Sequence, residues 1–218
     1  IDLIYGSPLL TDEMWKQNVQ TALSYHIPHL SCYALTVEEK TPLHKQIALD
    51  QKQQINTDKQ AHQFKLLMKW LRDAGYEHYE VSNFAKLNFR SRHNSSYWKG
   101  EKYLGVGPSA HSYNGLTRQW NIANNNIYIT SLDNGAIPFE KEVLNDKQKL
   151  NEYIMTSLRT SEGMDLQFVE NNWGEEKRQL IERKSKTFHG LIQRQNSELR
   201  LTDSGMLMAD GIASKLFF

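Results

Sequence analysis

The length, composition and charge of the chain exclude several classes of protein. At 218 residues it is long enough to bury the core of one large domain or of a domain and a half. Its 26 Lys and Arg against 25 Asp and Glu leave a net charge of +1, which gives no electrostatic case for nucleic acid or an anionic membrane as the main partner. No apolar run approaches the roughly 20 residues that a membrane span needs.

The first elements in chain order are two apolar runs on either side of a helix pattern. Residues 1–6 and 29–36 predict buried strands, and such continuous runs are typical of parallel strands covered on both faces. Between them Thr11 predicts a helix N-cap, and helical spacing continues to about Tyr25. The single cysteine, Cys32, lies in the second run, so we expect a buried structural thiol. One cysteine also excludes an internal disulfide and a thiolate metal cage.

A polar segment and a second helix pattern lead into a third predicted strand. Residues 38–55 predict a long loop with a short helical turn. A T-x-x-Q capping box at Thr57 predicts the start of an amphipathic helix, and Gly75 predicts its end. Residues 78–81 then predict a strand. This alternation predicts three parallel, neighbouring strands in one sheet, with ligand sites beyond their carboxyl ends.

The stretch from Tyr76 to Gly115 concentrates residues that suit the wall of a pocket. Residues 93–98 read HNSSYW, and residues 103–111 hold two glycines and a proline within four positions, which predicts a tight bend with exposed backbone. Two interpretations stay open here. Either the imidazoles and aromatic rings line a binding site, or the rings only pack the ends of a loop.

The remaining sequence predicts a small C-terminal domain. Residues 118–126 predict turns, and residues 127–132 predict a short helix. From Lys141 onward, three helix patterns precede a hairpin at residues 191–201 and a last helix that begins at Thr202. This order predicts a winged-helix-like domain. We favour a packing role for it over DNA binding, because its last helices carry no basic stripe.

Six segments together resemble the coproporphyrinogen-oxidase-like branch of the radical S-adenosylmethionine (SAM) proteins. They are spread along almost the whole chain and are highly specific in combination. Within that branch the HNxxYW segment resembles the HemW-like haem chaperones rather than the oxygen-independent coproporphyrinogen III oxidases. The segments are IDLIYG with Pro8, LSCYALT at 30–36, GYE to NFA at 75–85, HNSSYW at 93–98, YLGVGPSAHS at 103–112, and LRT to EGMD at 158–165.

The resemblance implies an α/β fold in two domains. Residues 1–115 would form the C-terminal half of a partial radical-SAM (β/α) barrel together with the rim segment that holds HNxxYW. Residues 116–140 would connect it to a small, winged-helix-like and mainly helical C-terminal domain of the HemN type at residues 141–218. The whole protein would be cytoplasmic and would use a [4Fe–4S] cluster and SAM. The CxxxCxxC motif that ligates the cluster lies upstream in the family, so we expect this chain to be the C-terminal portion of a longer protein.

The resemblance also implies two groups of ligand-binding residues, and no catalytic residue. The candidates are Asp2, Thr36 and His111 for SAM, and His93, Asn94, Tyr97 and Trp98 for haem. Neutral imidazole is a natural axial ligand of haem iron, so His93 is the candidate iron ligand. The two aromatic rings would flank the macrocycle.

Three functions remain as alternatives at this point. The first is a haem chaperone that binds haem or a related porphyrin and passes it to an unidentified acceptor protein, which the HNxxYW motif favours. The second is an oxygen-independent coproporphyrinogen III oxidase (coproporphyrinogen dehydrogenase) of porphyrin biosynthesis, which the barrel segments suit. The third is an inert fragment with a structural role, which the absence of the cluster cysteines favours. Whether the protein is an enzyme stays open, and we do not expect this chain to be active alone.

Overall fold

Strands and helices alternate along the chain in the computed structural model, which describes residues 1–49 and 54–218. The elements in chain order are β1 (Asp2–Tyr5), α1 (Asp12–Ser24), β2 (His29–Ala34), α2 (Pro42–Ala48), α3 (Thr57–Asp73), β3 (Glu77–Glu80), β4 (Asn83–Ala85), α4 (Arg92–Trp98), β5 (His111–Tyr113), β6 (Thr117–Asn121), α5 (Asn125–Asp133), β7 (Phe139–Val143), α6 (Asp146–Leu158), β8 (Met164–Asp165), α7 (Leu166–Trp173), α8 (Glu175–Ser185), β9 (Ile192–Gln195), β10 (Glu198–Leu201), α9 (Asp203–Met206) and α10 (Ala209–Leu216).

Contacts along the backbone divide the chain into two units. The first unit comprises residues 1–91 with residues 201–209, and the second comprises residues 92–200 with residues 210–218. The domain boundaries expected from the sequence, after residues 115 and 140, stay predictions. None of the helices in the described part of the chain is long and apolar enough to cross a membrane.

The sheet of the first unit has the strand order β1–β2–β4–β3 and mixed directions. Strands β1 and β2 are parallel, as predicted, with Leu3 opposite Cys32. Strand β4 runs antiparallel to both β2 and β3, so β3 points the same way as β2 without being its neighbour. The prediction of three adjacent parallel strands was therefore wrong. The physical reason is a reversal after Glu80, whose carboxylate accepts hydrogen bonds from the Ser82 N–H at 3.0 Å and from the Asn83 amide.

The core of the first unit lies on one face of this sheet. Trp15 from α1 and Phe64 from α3 are buried and pack against Tyr5, with ring centroids 5.7 and 5.9 Å from the Tyr5 ring. Cys32 is buried in the same layer, which confirms its predicted structural position. On β1, however, Ile4 is 57% exposed, so the prediction of strands covered on both faces fails for this strand within the described residues.

The helix ends of the first unit follow ordinary capping chemistry, with one shift from prediction. The Thr11 hydroxyl accepts from the Met14 N–H at 3.2 Å and caps α1, as predicted. The N-cap of α3 is Asn56, whose side chain accepts from the Lys59 N–H at 2.9 Å, and not Thr57. The side-chain oxygen of Asn56, one residue before Thr57, accepts from a free N–H group of the first helical turn. Thr57 is therefore the first residue of the helix and not its cap. Part of the predicted polar loop forms α2, and residues 50–53 of that loop lie outside the described residues.

The second unit contains two three-stranded sheets, β5–β6–β7 and β8–β10–β9. The helices predicted after residue 127 and the predicted hairpin are confirmed. Their order along the chain, helices followed by a hairpin and further helices, is the winged-helix-like order that was predicted. The turns predicted at residues 118–126 were wrong in part, because Thr117–Asn121 forms β6 and pairs antiparallel with β5 and β7. The last predicted helix divides into α9 and α10.

Candidate functional site

The HNSSYW motif forms the helix α4 rather than a loop. Gly100, with φ of +66°, ends the helical segment, because the Gly100 N–H donates to the Tyr97 carbonyl at 3.1 Å and the Glu101 N–H donates to the Ser96 carbonyl at 3.0 Å. This is the Schellman arrangement, which needs a residue in the left-handed region just after the helix. It fixes Tyr97 and Trp98 at the end of α4.

A groove of about 720 Å³ opens beside this end of α4, and we call it the aromatic groove. Tyr97 and Trp98 line it together with Tyr103 and Tyr113. The Tyr97 and Tyr103 rings meet edge to face at 5.0 Å, and the Tyr103 and Tyr113 rings lie 6.2 Å apart. The backbones of Tyr103 and Tyr113 also exchange two hydrogen bonds of 2.9 Å, which hold this wall together. The volume lies in the range of small-molecule sites, about 300–1,000 Å³.

Three further aromatic residues, Tyr153, Phe168 and Trp173, also line the aromatic groove, and we call them the C-terminal wall. The Tyr153 ring lies 4.7 Å from the Phe168 ring and 5.7 Å from the Trp173 ring, and the last two rings are 5.9 Å apart. Each ring therefore touches both others. The contacts are tilted, stacked and edge to face in turn, and together the three rings form one apolar surface.

Helix α6 contributes to the aromatic groove because its two faces differ. Leu150, Ile154 and Leu158 recur at helical spacing and are buried on one face. Tyr153 and Thr156 lie on another face and line the groove. Met155 lines it as well. The sequence pattern missed Tyr153, because a tyrosine on the less apolar side of a helix resembles an ordinary surface residue.

The aromatic groove carries charges of both signs. The guanidinium of Arg118 pairs with the Glu152 carboxylate at 2.8 Å and lies 5.9 Å from the Tyr113 ring centroid. The ammonium of Lys149 lies 3.8 Å from the carboxylate of Asp146, which is 90% exposed. Lys99 also lines the groove and forms no ion pair within residues 1–49 and 54–218. The two lysine ammonium groups can therefore turn toward an anionic ligand at little electrostatic cost.

The motif histidine stands beside the aromatic groove without lining it. His93 is exposed, and its ring contacts the Tyr97 ring edge to face at 5.0 Å. Within the described part of the chain its imidazole has no hydrogen-bond partner. Asn94 is half-buried and is engaged in an interaction within the protein. The structure thus brings Tyr97 and Trp98 together in the groove and leaves the His93 nitrogens free for a ligand.

The Trp98 ring has a cationic neighbour, and its indole N–H lacks a hydrogen-bond acceptor among the described residues. The guanidinium of Arg159 lies 5.1 Å from the Trp98 ring centroid and is itself paired with Asp210 at 2.6 Å. The indole nitrogen is buried, and no described residue accepts its hydrogen bond. By contrast, the indole N–H of the core residue Trp15 donates to the Gln63 carbonyl at 3.2 Å. A buried donor without a partner is uncommon in native proteins, so a group that enters the groove could accept this hydrogen bond.

His111 is exposed on β5 and lines a different cavity from the aromatic groove. This cavity has a volume of about 430 Å³, and Trp120 lines it with its ring centroid 6.1 Å from that of His111. The backbone here is close-packed, since a side chain on Gly105 would approach the His111 carbonyl oxygen to 2.1 Å. The YLGVG bend therefore requires its first glycine for space.

The other two SAM-side candidates, Asp2 and Thr36, belong to the first unit. Both are exposed, so the Asp2 carboxylate is not buried within β1 as its position in an apolar run suggested. The Thr36 hydroxyl lies 3.5 Å from the carbonyl oxygen of Ala34. Their role in binding SAM stays a prediction.

The residues of this chain do not fit an iron–sulfur cluster. A cluster needs several thiolates, whereas the chain has one cysteine, and burial raises the pKa of the Cys32 thiol to about 12. No group of three or more His, Cys, Asp or Glu side chains in the described residues is placed to hold a metal ion.

Comparison with protein families and curated proteins gives consistent matches. Residues 144–208 match the HemN C-terminal domain family. "Heme chaperone HemW" from Mycobacterium tuberculosis (strain H37Rv) is 32% identical over 99% of this chain and 54% of its own length. The protein of the same name from Lactococcus lactis is 31% identical over 99% of this chain and 57% of its own length. The chain spans about half the length of these curated relatives.

Two further matches extend the comparison to eukaryotes and to solved structures. "Radical S-adenosyl methionine domain-containing protein 1, mitochondrial" from Mus musculus is 40% identical over 51% of this chain and 25% of its own length. The solved structure of coproporphyrinogen III oxidase (HemN) from Escherichia coli, described as a radical SAM enzyme, superposes with a TM-score of 0.76. It covers 100% of this chain and 54% of the oxidase chain at 18% identity, which shows a shared fold.

Proposed function

We propose that this chain, a HemW-like member of the radical SAM family, binds haem in the aromatic groove and serves to pass the haem to an acceptor protein. The premise rests on the similarity to curated haem chaperones over 99% of the chain. Haem is the cargo in this proposal, and the acceptor is a protein partner of unidentified sequence.

The observation that carries the proposal is that Tyr97 and Trp98 of the HNxxYW motif line an aromatic groove of about 720 Å³. A porphyrin is a flat, largely apolar ring with two carboxylates at one edge. Apolar aromatic walls with a few charged groups are the usual surroundings of such a ligand. Lys99, whose ammonium forms no ion pair with the described residues, lines the same groove and supplies a charge opposite to that of the carboxylates.

His93 has the position and the chemistry of a ligand to the haem iron. It is one helical turn from Tyr97, exposed, and without a hydrogen bond to its ring in the described residues. A neutral imidazole nitrogen donates its lone pair to iron, and iron ligation shifts the absorbance of haem. We therefore assign iron binding to His93 and ring binding to the aromatic side chains.

Radical SAM proteins use SAM and an iron–sulfur cluster, and we extend both cofactors to the whole protein as part of this proposal. Asp2, Thr36 and His111 are the residues of this chain proposed to face SAM, and a cytoplasmic location is proposed with them. The oxidase alternative receives no separate support, because the likeness to the Escherichia coli oxidase at 18% identity concerns the fold alone.

A haem titration of the whole protein tests the proposal. We expect one haem to bind with a sharp Soret band, and His93→Ala to shift that band and to weaken binding about tenfold, the effect of losing one good interaction. His189→Ala is the matched control, because His189 is also exposed and lies outside the lining of the aromatic groove. An unchanged Soret band and affinity in the His93 variant would show that His93 does not bind iron.

A further inference from the structure

The C-terminal wall of the aromatic groove is the part of the proposed site that the HNxxYW motif does not contain. Its residues come from α6 and α7, which lie about 50 to 75 residues after the motif in the chain. They line the same groove as Tyr97 and Trp98, and all these residues belong to the second unit. The C-terminal wall and the two motif residues thus line one groove of about 720 Å³.

The C-terminal wall is held rigid from behind. The Tyr153 hydroxyl accepts a hydrogen bond from the Asp165 N–H at 3.1 Å, where α7 begins. Burial raises the pKa of Tyr153 to about 12, so the hydroxyl stays neutral at physiological pH. Leu166 and Val169 anchor α7 in the core and are almost fully buried. The wall therefore needs little ordering when a ligand arrives, which favours binding.

Phe168 is the ring of this wall that a ligand can reach most easily. It is 42% exposed although it contacts both Tyr153 and Trp173. An exposed phenylalanine gains from burial against any flat apolar partner. Thr156 also lines the groove and uses its hydroxyl within its own helix, donating to the Glu152 carbonyl at 2.9 Å. The surface at this point therefore suits stacking rather than hydrogen bonding.

We propose that the C-terminal wall, Tyr153 with Phe168 and Trp173, stacks on the macrocycle and recognises the porphyrin ring irrespective of its metal. This inference rests on the proposed function and divides the site into two parts. His93 on α4 recognises the iron, and the C-terminal wall recognises the ring. The C-terminal domain is thus a component of the ligand site and not only a packing module.

The charges of the groove orient the ring in this arrangement. Arg118 is neutralised by Glu152 at 2.8 Å. Lys149 lies 3.8 Å from the exposed Asp146 carboxylate, and Lys99 has no ion-pair partner in the part of the chain that the structure describes. Ring carboxylates directed toward these two lysines leave the apolar face of the macrocycle against the C-terminal wall. The ligand class is therefore a planar tetrapyrrole with acidic side chains.

The experiment compares haem with metal-free protoporphyrin in the whole protein. We expect Phe168→Ala to raise the Kd of both ligands by the same factor, about tenfold, because it removes a ring contact. We expect His93→Ala to raise the Kd of haem more than that of the metal-free ring. Phe89→Ala is the matched control for the phenylalanine, since Phe89 is 56% exposed and lies in the first unit.

A second variant tests the same surface without removing it. Thr156→Trp leaves the three wall rings in place and adds a large side chain to the lining of the same groove, so we expect it to reduce the affinity for both ligands more than tenfold. If Phe168→Ala and Thr156→Trp both bind the two ligands as the wild type does, the wall is not the ring site, although the proposed function stands. If the wild-type protein binds neither ligand, both proposals fail together.

Discussion

At the scale of single residues, a buried glutamine holds the first strand to the following helices. Gln63 is fully buried, and its side-chain oxygen accepts from the Gly6 N–H at 2.9 Å. Its amide nitrogen donates to the Leu10 carbonyl at 3.0 Å and to the Asp12 carboxylate at 3.1 Å. One amide therefore satisfies both the turn after β1 and the first turn of α1.

Gln63→Leu should destabilise the protein by about 1–3 kcal/mol, because the Gly6 N–H and the Leu10 carbonyl would lose their buried partner. The free energy of unfolding in urea measures this loss. Gln17→Leu is the control, since Gln17 is exposed on α1 and its replacement should change stability by no more than about 0.5 kcal/mol. An equal effect of the two substitutions would contradict the role given to Gln63.

The sequence did not distinguish Gln63 from its neighbours, and the reason is physical. The stripe of Phe64, Leu67 and Leu71 is visible because apolar residues recur at helical spacing. A glutamine that will be buried cannot be told from an exposed glutamine by the residue type or by its neighbours in the sequence. Its burial depends on partners about 50 residues earlier in the chain, Gly6 and Leu10, which no local pattern reveals.

At the scale of elements, long periodic segments were predictable and short paired strands were not. Helices α1, α3 and α6 were expected from the spacing of apolar residues and from the caps. The three residues of β4, by contrast, form a strand only because they pair with β2 on one side and β3 on the other. The same holds for the candidate site. The HNxxYW half was predictable from its motif, but the C-terminal wall depends on which face of α6 remains outside the core.

The end of α4 gives a prediction about one element. Gly100→Ala should cost about 1 kcal/mol of stability and weaken haem binding, because φ is +66° and a displaced helix end would move Tyr97 and Trp98. No heavy atom lies within 4 Å of the added carbon, so the effect comes from the backbone alone. Thermal unfolding and a haem titration measure the two changes.

Gly135→Ala is a matched control for that experiment. Gly135 follows α5 with φ of +74°, and an added carbon there also has no heavy atom within 4 Å. The same pair of terminal hydrogen bonds forms here, because the Gly135 N–H donates to the Leu132 carbonyl and the Ala136 N–H donates to the Ser131 carbonyl. We expect the same cost in stability and no change in haem affinity. Equal haem affinities for the two variants would mean that the end of α4 does not position the site.

At the scale of the whole molecule, two buried or half-buried histidines connect stability to pH. Burial lowers the pKa of His78, which stacks on Phe84 at 4.2 Å and bonds the Val81 carbonyl at 3.0 Å through Nε2. Burial also lowers the pKa of His29, whose Nε2 lies 2.7 Å from the Tyr79 hydroxyl. The folded state therefore binds protons less readily than the unfolded state, in which both imidazoles titrate near 6.5.

The sign of the effect follows from this difference. The stabilisation is present above pH 6.5 and is lost as the pH falls from 6.5 through the lower pKa values of the folded state. We expect the melting temperature to fall between about pH 7.5 and about pH 5.5, and His78→Gln to reduce that fall. His44→Gln, at an exposed histidine, should leave it as in the wild type. An identical pH dependence in the His78 variant would rule out His78 as a source.

The two walls of the aromatic groove leave the ribosome at different times. Trp98 and Trp173 are 75 residues apart in the sequence, so at ~5–20 residues per second the second wall is synthesised about 4–15 s after the first. During that interval the nascent chain already carries His93, Tyr97 and Trp98 but lacks the C-terminal wall. In the two-part site proposed above, a haem that arrived then would meet only the half that holds the HNxxYW motif, and full capture would wait until synthesis had passed α7.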